Sequence, residues 1–145
     1  MEELQIIASK NGYKKINFKV TKTQHLLLKA TLNGVKGKFI LDTGASSSCV
    51  GFEGIEKFHL HAESSKTKAS GAGATNMHTQ LAKNNNLQLG SWKNYDFELV
   101  IFDLSHVNDA LTQHKAKPVD GIIGADVLLH GKAVIDYYTC CLYLK

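Results

Sequence analysis

The stretch Phe39-Ile40-Leu41-Asp42-Thr43-Gly44-Ala45-Ser46 holds the pattern richest in chemistry. An apolar run delivers an acid straight into small and hydroxyl-bearing residues. A carboxylate at the end of a buried strand is costly unless it is hydrogen-bonded. Thr43 and the amides of a tight turn can supply those bonds, and Gly44 lets the backbone approach closely or take a positive φ. A carboxylate held in this way suits proton transfer to and from water or substrate. The same triplet also reads as an Asx-turn closing a strand, and Asp-Thr-Gly alone leaves both readings open.

Other reactive side chains read more plainly. His59 and His61 have no third ligand at a metal-binding spacing, so no metal is expected. Ser46, Ser47, Ser48 and Cys49 have no base placed to activate them and suit the packing of a loop. Asp126, opening a short helix, reads as a dipole or cap partner. Gly71-Ala72-Gly73 lacks the Lys and the preceding strand of a phosphate loop. Cys140-Cys141 fits a strand pair with one thiol buried.

Short strands must position Asp42. Ile16, Phe18 and Val20 alternate with polar residues, which predicts a half-buried strand. Leu26 to Leu32 predicts another, followed by Asn33-Gly34, a hairpin signal because both residues tolerate positive φ. Phe39 to Leu41 and Leu99 to Phe102 read as buried strands, and Leu87 and Leu89 alternate with polar neighbours. Ile122-Ile123, Val134 to Tyr138 and Cys141 to Leu144 read as the closing strands. Helical spacing occurs from Ile55 to Ala62, from Val107 to His114 with Ser105 as its cap, and from Ala125 to Leu129. This predicts a mainly β protein, a small closed or partly closed β-barrel with two or three short helices.

A chain of 145 residues has room for one core. With 43% hydrophobic and 21% charged residues it matches soluble globular proteins rather than disordered ones. A net charge of +4, spread over scattered lysines, argues against nucleic-acid binding. No apolar run is long enough for a membrane span. The start, Met1-Glu2-Glu3, is acidic and does not resemble a secretory signal. Three cysteines without framework spacing fit a reducing compartment, so the expected location is cytoplasmic.

The Asp42 segment resembles the active-site strand of retropepsin-like aspartic proteases, a group that includes retroviral proteases and small bacterial single-domain relatives. The resemblance runs from about Leu26 to Leu144. The hairpin through Lys38 leads into Asp42. Ser70-Gly71-Ala72-Gly73-Ala74 sits where the family carries its flap. Asp120-Gly121-Ile122-Ile123-Gly124-Ala125-Asp126 looks like the second signature, whose apolar pair and glycine pack beneath the catalytic loop. Two ordered motifs about eighty residues apart are far more specific than a triplet.

The resemblance implies a retropepsin-like β-barrel over residues 23–145, with residues 1–22 as an N-terminal extension or strand. It implies hydrolysis of peptide bonds by water, activated by two carboxylates and needing no cofactor. Only one Asp-Thr-Gly is present, so the second carboxylate is expected to be Asp42 of another copy, in a homodimer. Thr43 is expected to brace the two loops, and Gly44 and Ala45 to complete them. Gly71, Ala72 and Gly73 are expected to form the flap over a peptide or protein substrate, with Ile122, Ile123 and Gly124 supporting the loop. Ala45, where pepsin-like enzymes carry a hydroxyl, implies a less acidic dyad. The competing reading is an inactive retropepsin-fold binding or scaffold module that never assembles the dyad, and its mark is a monomer.

Overall fold

The computed structural model describes residues 2–71 and 74–145. Eleven strands and four short helices are found among them. β3 (Leu26–Leu32) and β4 (Val35–Leu41) pair antiparallel, from Leu26↔Leu41 to Leu32↔Val35. Their turn holds Asn33 at φ 51° and Gly34 at φ 83°, the positive pair that a tight two-residue hairpin demands.

From β4 the sheet passes to β9 (Gly121–Ile123), β5 (Cys49–Val50), β8 (Trp92–Ile101) and β7 (Ala74–Leu89). β7 then pairs with β3 through Leu87 and Gln88, closing a barrel of six strands. β6 (Ala62–Gly71) extends β7 outward as an antiparallel hairpin, and β2 (Lys19–Val20) adds to β3. Phe39, Leu41, Phe58, Leu99, Ile101 and Ile123 are among the side chains packed in the core.

The chain ends form a second sheet. β11 (Cys141–Leu144) lies between β1 (Lys14–Asn17) and β10 (Val134–Asp136). Both faces of β11 are covered. Leu142 and Leu144 enter the main core, while Cys141 and Tyr143 meet Ala8 of α1 (Glu2–Lys10). Burial raises the pKa of the Tyr143 phenol.

Several local expectations change. The strand expected over 16–20 is split, because Phe18 donates its N–H to Cys140 O as the chain passes from one sheet to the other. The helix expected from Ile55 shrinks to α2 (Gly54–Lys57): His59 takes φ 55°, and Ala62 already begins β6. α3 (Ser105–Gln113) is not capped by Ser105; Asp103 Oδ1 accepts the Ser105 N–H and hydroxyl instead. Those bonds hold the Asp103 carboxyl below its usual pKa. α1 escapes the periodic reading because Ile6 and Ile7 face outward. No described helix is long and apolar enough to cross a membrane.

Candidate active site

β4 carries the site to its place. Phe39 and Leu41 point into the main core, and Ile40 into a second cluster with Leu111 and Val119. The ladder continues past Leu41, since Asp42 donates its N–H to Ile123 O at 2.9 Å. Asp42 therefore leaves the strand on the Ile40 face, away from the core. The chain then turns sharply. Ala45 N–H donates to Asp42 C=O at 3.2 Å, and Gly44 N–H donates to Asp42 Oδ1 at 2.9 Å. Asp42, Thr43 and Gly44 are exposed and Ala45 is half-buried. Among the described residues, the Gly44 amide is the only donor to the Asp42 carboxylate.

A second loop lies against the first. Ile122 pairs with Ile40 on one side and Cys49 on the other. A Cβ on Gly124 would sit 2.6 Å from Ala45 O, so only glycine allows the two loops this close. Ala125 N–H donates to Ala45 O at 2.7 Å, just where α4 (Ala125–His130) begins. Asp126 then ties the loops together. Its Oδ2 accepts the Ser48 N–H at 3.0 Å, and its Oδ1 accepts the Ser48 hydroxyl at 2.6 Å and the Val127 N–H at 2.9 Å. Ser48 Oγ in turn accepts the Gly124 N–H at 2.8 Å.

Cys49 is buried beside this lattice. Burial pushes its thiol up to about 12, against a backbone hydrogen bond from Ile122, with the negative charges of Asp126 and Asp42 adding to the rise. It is a neutral thiol at neutral pH and a poor nucleophile there.

The structure brings Asp42, Thr43, Gly44 and Ala45 together with Ile122, Ile123 and Gly124. Gly71 closes β6 opposite Ala74 of β7; Ala72 and Gly73 lie outside the described residues. Sequence reasoning passed over the Ser48–Asp126 pair. Its members lie 78 positions apart on separate loops, and each alone looks like a common loop or helix-start residue. Among the described residues, no three His, Cys, Asp or Glu side chains are grouped to hold a metal.

A family model described as aspartyl protease matches residues 28–127. The chain belongs to the aspartyl protease family. The matched span runs from β3 into α4 and includes both loops. Solved structures similar to this chain include a retropepsin-like aspartic protease from Rickettsia conorii. That chain is 20% identical, with 92% of this chain and 89% of that one covered and a TM-score of 0.59. The retroviral protease-like domain of Ddi1 from Leishmania major is also 20% identical, covering 88% and 90% with a TM-score of 0.59. The EIAV protease complexed with the inhibitor HBY-793 is 17% identical, covering 77% and 91% with a TM-score of 0.57. At such identities the likeness is one of fold, a retropepsin-like barrel. A comparison with curated protein sequences gives no match.

Proposed function

We propose that the protein is an aspartic endopeptidase that cleaves extended peptides as a homodimer. The observation that carries this reading is the state of Asp42. It is an exposed carboxylate with one donor among the described residues, on a loop whose backbone is fixed by β9 and α4. A fixed backbone beneath a free acid is what positioned proton transfer requires.

One acid is not enough. Two carboxylates about 3 Å apart share one proton. The ionised member takes a proton from water as that water attacks the scissile carbonyl. The protonated member donates to the carbonyl oxygen, and a second transfer to the nitrogen releases the amine. The pair titrates as a unit. The second carboxylate comes from Asp42 of another copy across a two-fold axis, with Thr43 bracing the loops there. The β6–β7 hairpin, with Gly71 at the end of β6, is the flap that closes over substrate. Residues 23–145 carry this machinery, residues 1–22 are its N-terminal extension, and the cytoplasm is its compartment. Ala45 leaves the dyad without a hydroxyl donor, so activity peaks between weak acid and neutral pH.

The terminal strands bear on how two copies meet. β1 already pairs with β11 of its own chain, and β10 takes the other edge of β11. A partner strand therefore adds at the outer edge of β1 or β10, or the copies meet through the Asp42 loops without exchanging strands.

Asp42→Asn tests the reading. Cleavage of a peptide library is expected to vanish while the melting curve and the sedimentation coefficient stay at the wild-type values. Undiminished cleavage by the variant contradicts the assignment. A monomer at micromolar concentration, with substrate present and nothing cleaved, favours the binding or scaffold module.

A further inference from the structure

A cavity of about 260 Å³ opens on the face of β4 that carries Asp42. Its floor is apolar: Ile40 and Leu27 from the β3–β4 hairpin, Leu111 from α3, and Val119 from the segment before β9. Its rim is basic. Lys22, Lys38, Lys115 and Lys117 line it with His25 and His114, and no Asp or Glu does. The four lysines are exposed, and among the described residues none is in an ion pair. The nearby acid Asp120 is already engaged. Its Oδ1 pairs with Lys57 at 2.9 Å, and its Oδ2 accepts the Lys38 backbone N–H. Among the described residues, no carboxylate is thus paired with a rim lysine.

Position gives the cavity its meaning. Ile40 and Asp42 lie two residues apart on a continuous ladder, so they share a face at a separation of about 7 Å. That is also the spacing of two side chains on one face of an extended peptide. A substrate strand passing Asp42 can lower an apolar side chain onto Ile40 and Leu27 while its neighbours run along the lysines.

We propose that this pocket selects substrates, favouring peptides in which an apolar residue near the scissile bond is flanked by Asp or Glu. The inference rests on the protease reading above. Apolar burial supplies the anchor. The lysines discriminate by sign, repelling basic sequences as well as attracting acidic ones. The contacts are solvent-facing and hence salt-sensitive.

The test uses the full chain and three fluorogenic peptides alike except for Glu, Gln or Lys beside the apolar anchor. The same peptides are titrated by fluorescence anisotropy against Asp42→Asn. The Glu peptide is expected to be cleaved with kcat/KM about tenfold above the Lys peptide, with the Gln peptide between them and the ratio shrinking as salt is added. In Lys115→Glu/Lys117→Glu the two new carboxylates offset Lys22 and Lys38, and the preference among the three peptides is expected to disappear. Equal cleavage of all three by wild type overturns the inference and leaves the protease standing. If none is cleaved but Asp42→Asn and wild type both bind the Glu peptide about tenfold more tightly, the protease reading falls and the pocket's preference survives. Binding of dodecanoate with no discrimination among the peptides overturns the inference in favour of a free amphiphile.

Discussion

Asp42 and Asp126 stand on neighbouring loops of one site and are treated in opposite ways. Asp126 is saturated, with the Ser48 amide and hydroxyl and the Val127 amide on its two oxygens. Asp42 receives one amide, from Gly44, and faces solvent. The burdens differ accordingly. Asp126 satisfies buried donors and fixes the loops, and a carboxylate so occupied has little capacity left for chemistry. Asp42 is fixed through its backbone instead, which leaves its side chain unspent. The hydrogen bonds of the two loops thus fall mainly on one of two acids of the same type.

The largest effect that can break this contrast is on activity. Asp42→Asn is expected to lower kcat by about 10³-fold or more with a nearly unchanged melting temperature, measured on one preparation. Asp126→Ala should do the reverse in stability, costing about 3 kcal/mol in urea unfolding because the Ser48 N–H and hydroxyl lose a charged acceptor. A variant as stable as wild type would show that Asp126 is ornamental. Gly124→Ala presses a methyl group against Ala45 O and is expected to cost about 2 kcal/mol. It should also lower kcat, since the displaced segment is the Asp42 loop itself.

Cys49 supplies a pH signature. Its folded pKa lies above the unfolded value, so its contribution to stability is intact below about pH 9 and drains away as pH rises toward about 12. Asp136 runs the other way. The Thr139 hydroxyl holds its carboxyl below the usual range, so its contribution is lost only as acid titrates the folded form. Melting temperatures taken across alkaline pH should fall more steeply for wild type than for Cys49→Ala. The smallest effect is remote from the site. Gly34→Ala meets no neighbour within 4 Å and pays only for φ 83°, about 1 kcal/mol, with kcat unmoved.

How much of this was legible followed from how local each signal is. Leu26 to Leu32 and Asn33-Gly34 were readable because alternation and positive φ are properties of adjacent residues. Asp42 and the Ile122-Ile123-Gly124 segment were readable because each motif is continuous in the chain. β6 was not, since its polar run Glu63-Ser64-Ser65-Lys66 has no apolar period, and its extended state comes from pairing with β7. Asn84-Asn85-Asn86 carries no apolar residue to set a period. In the fold Asn85 is buried at 3% exposure, donating to Ala82 O and Phe97 O and accepting from Asn33 where the β7–β8 register shifts. One partner of this polar plug, Asn33, lies 52 positions away, and no short pattern announces it.

The central claim is that one Asp42 is inert until a second joins it. A mixing titration tests this most directly: wild type is held constant while Asp42→Asn is added in rising amounts, and peptide cleavage is followed after exchange. The account predicts that mixed dimers are inactive, so a ninefold excess of the variant brings activity down to about one tenth. Cleavage that stays constant as the variant is added would contradict it, because each chain would then be working alone.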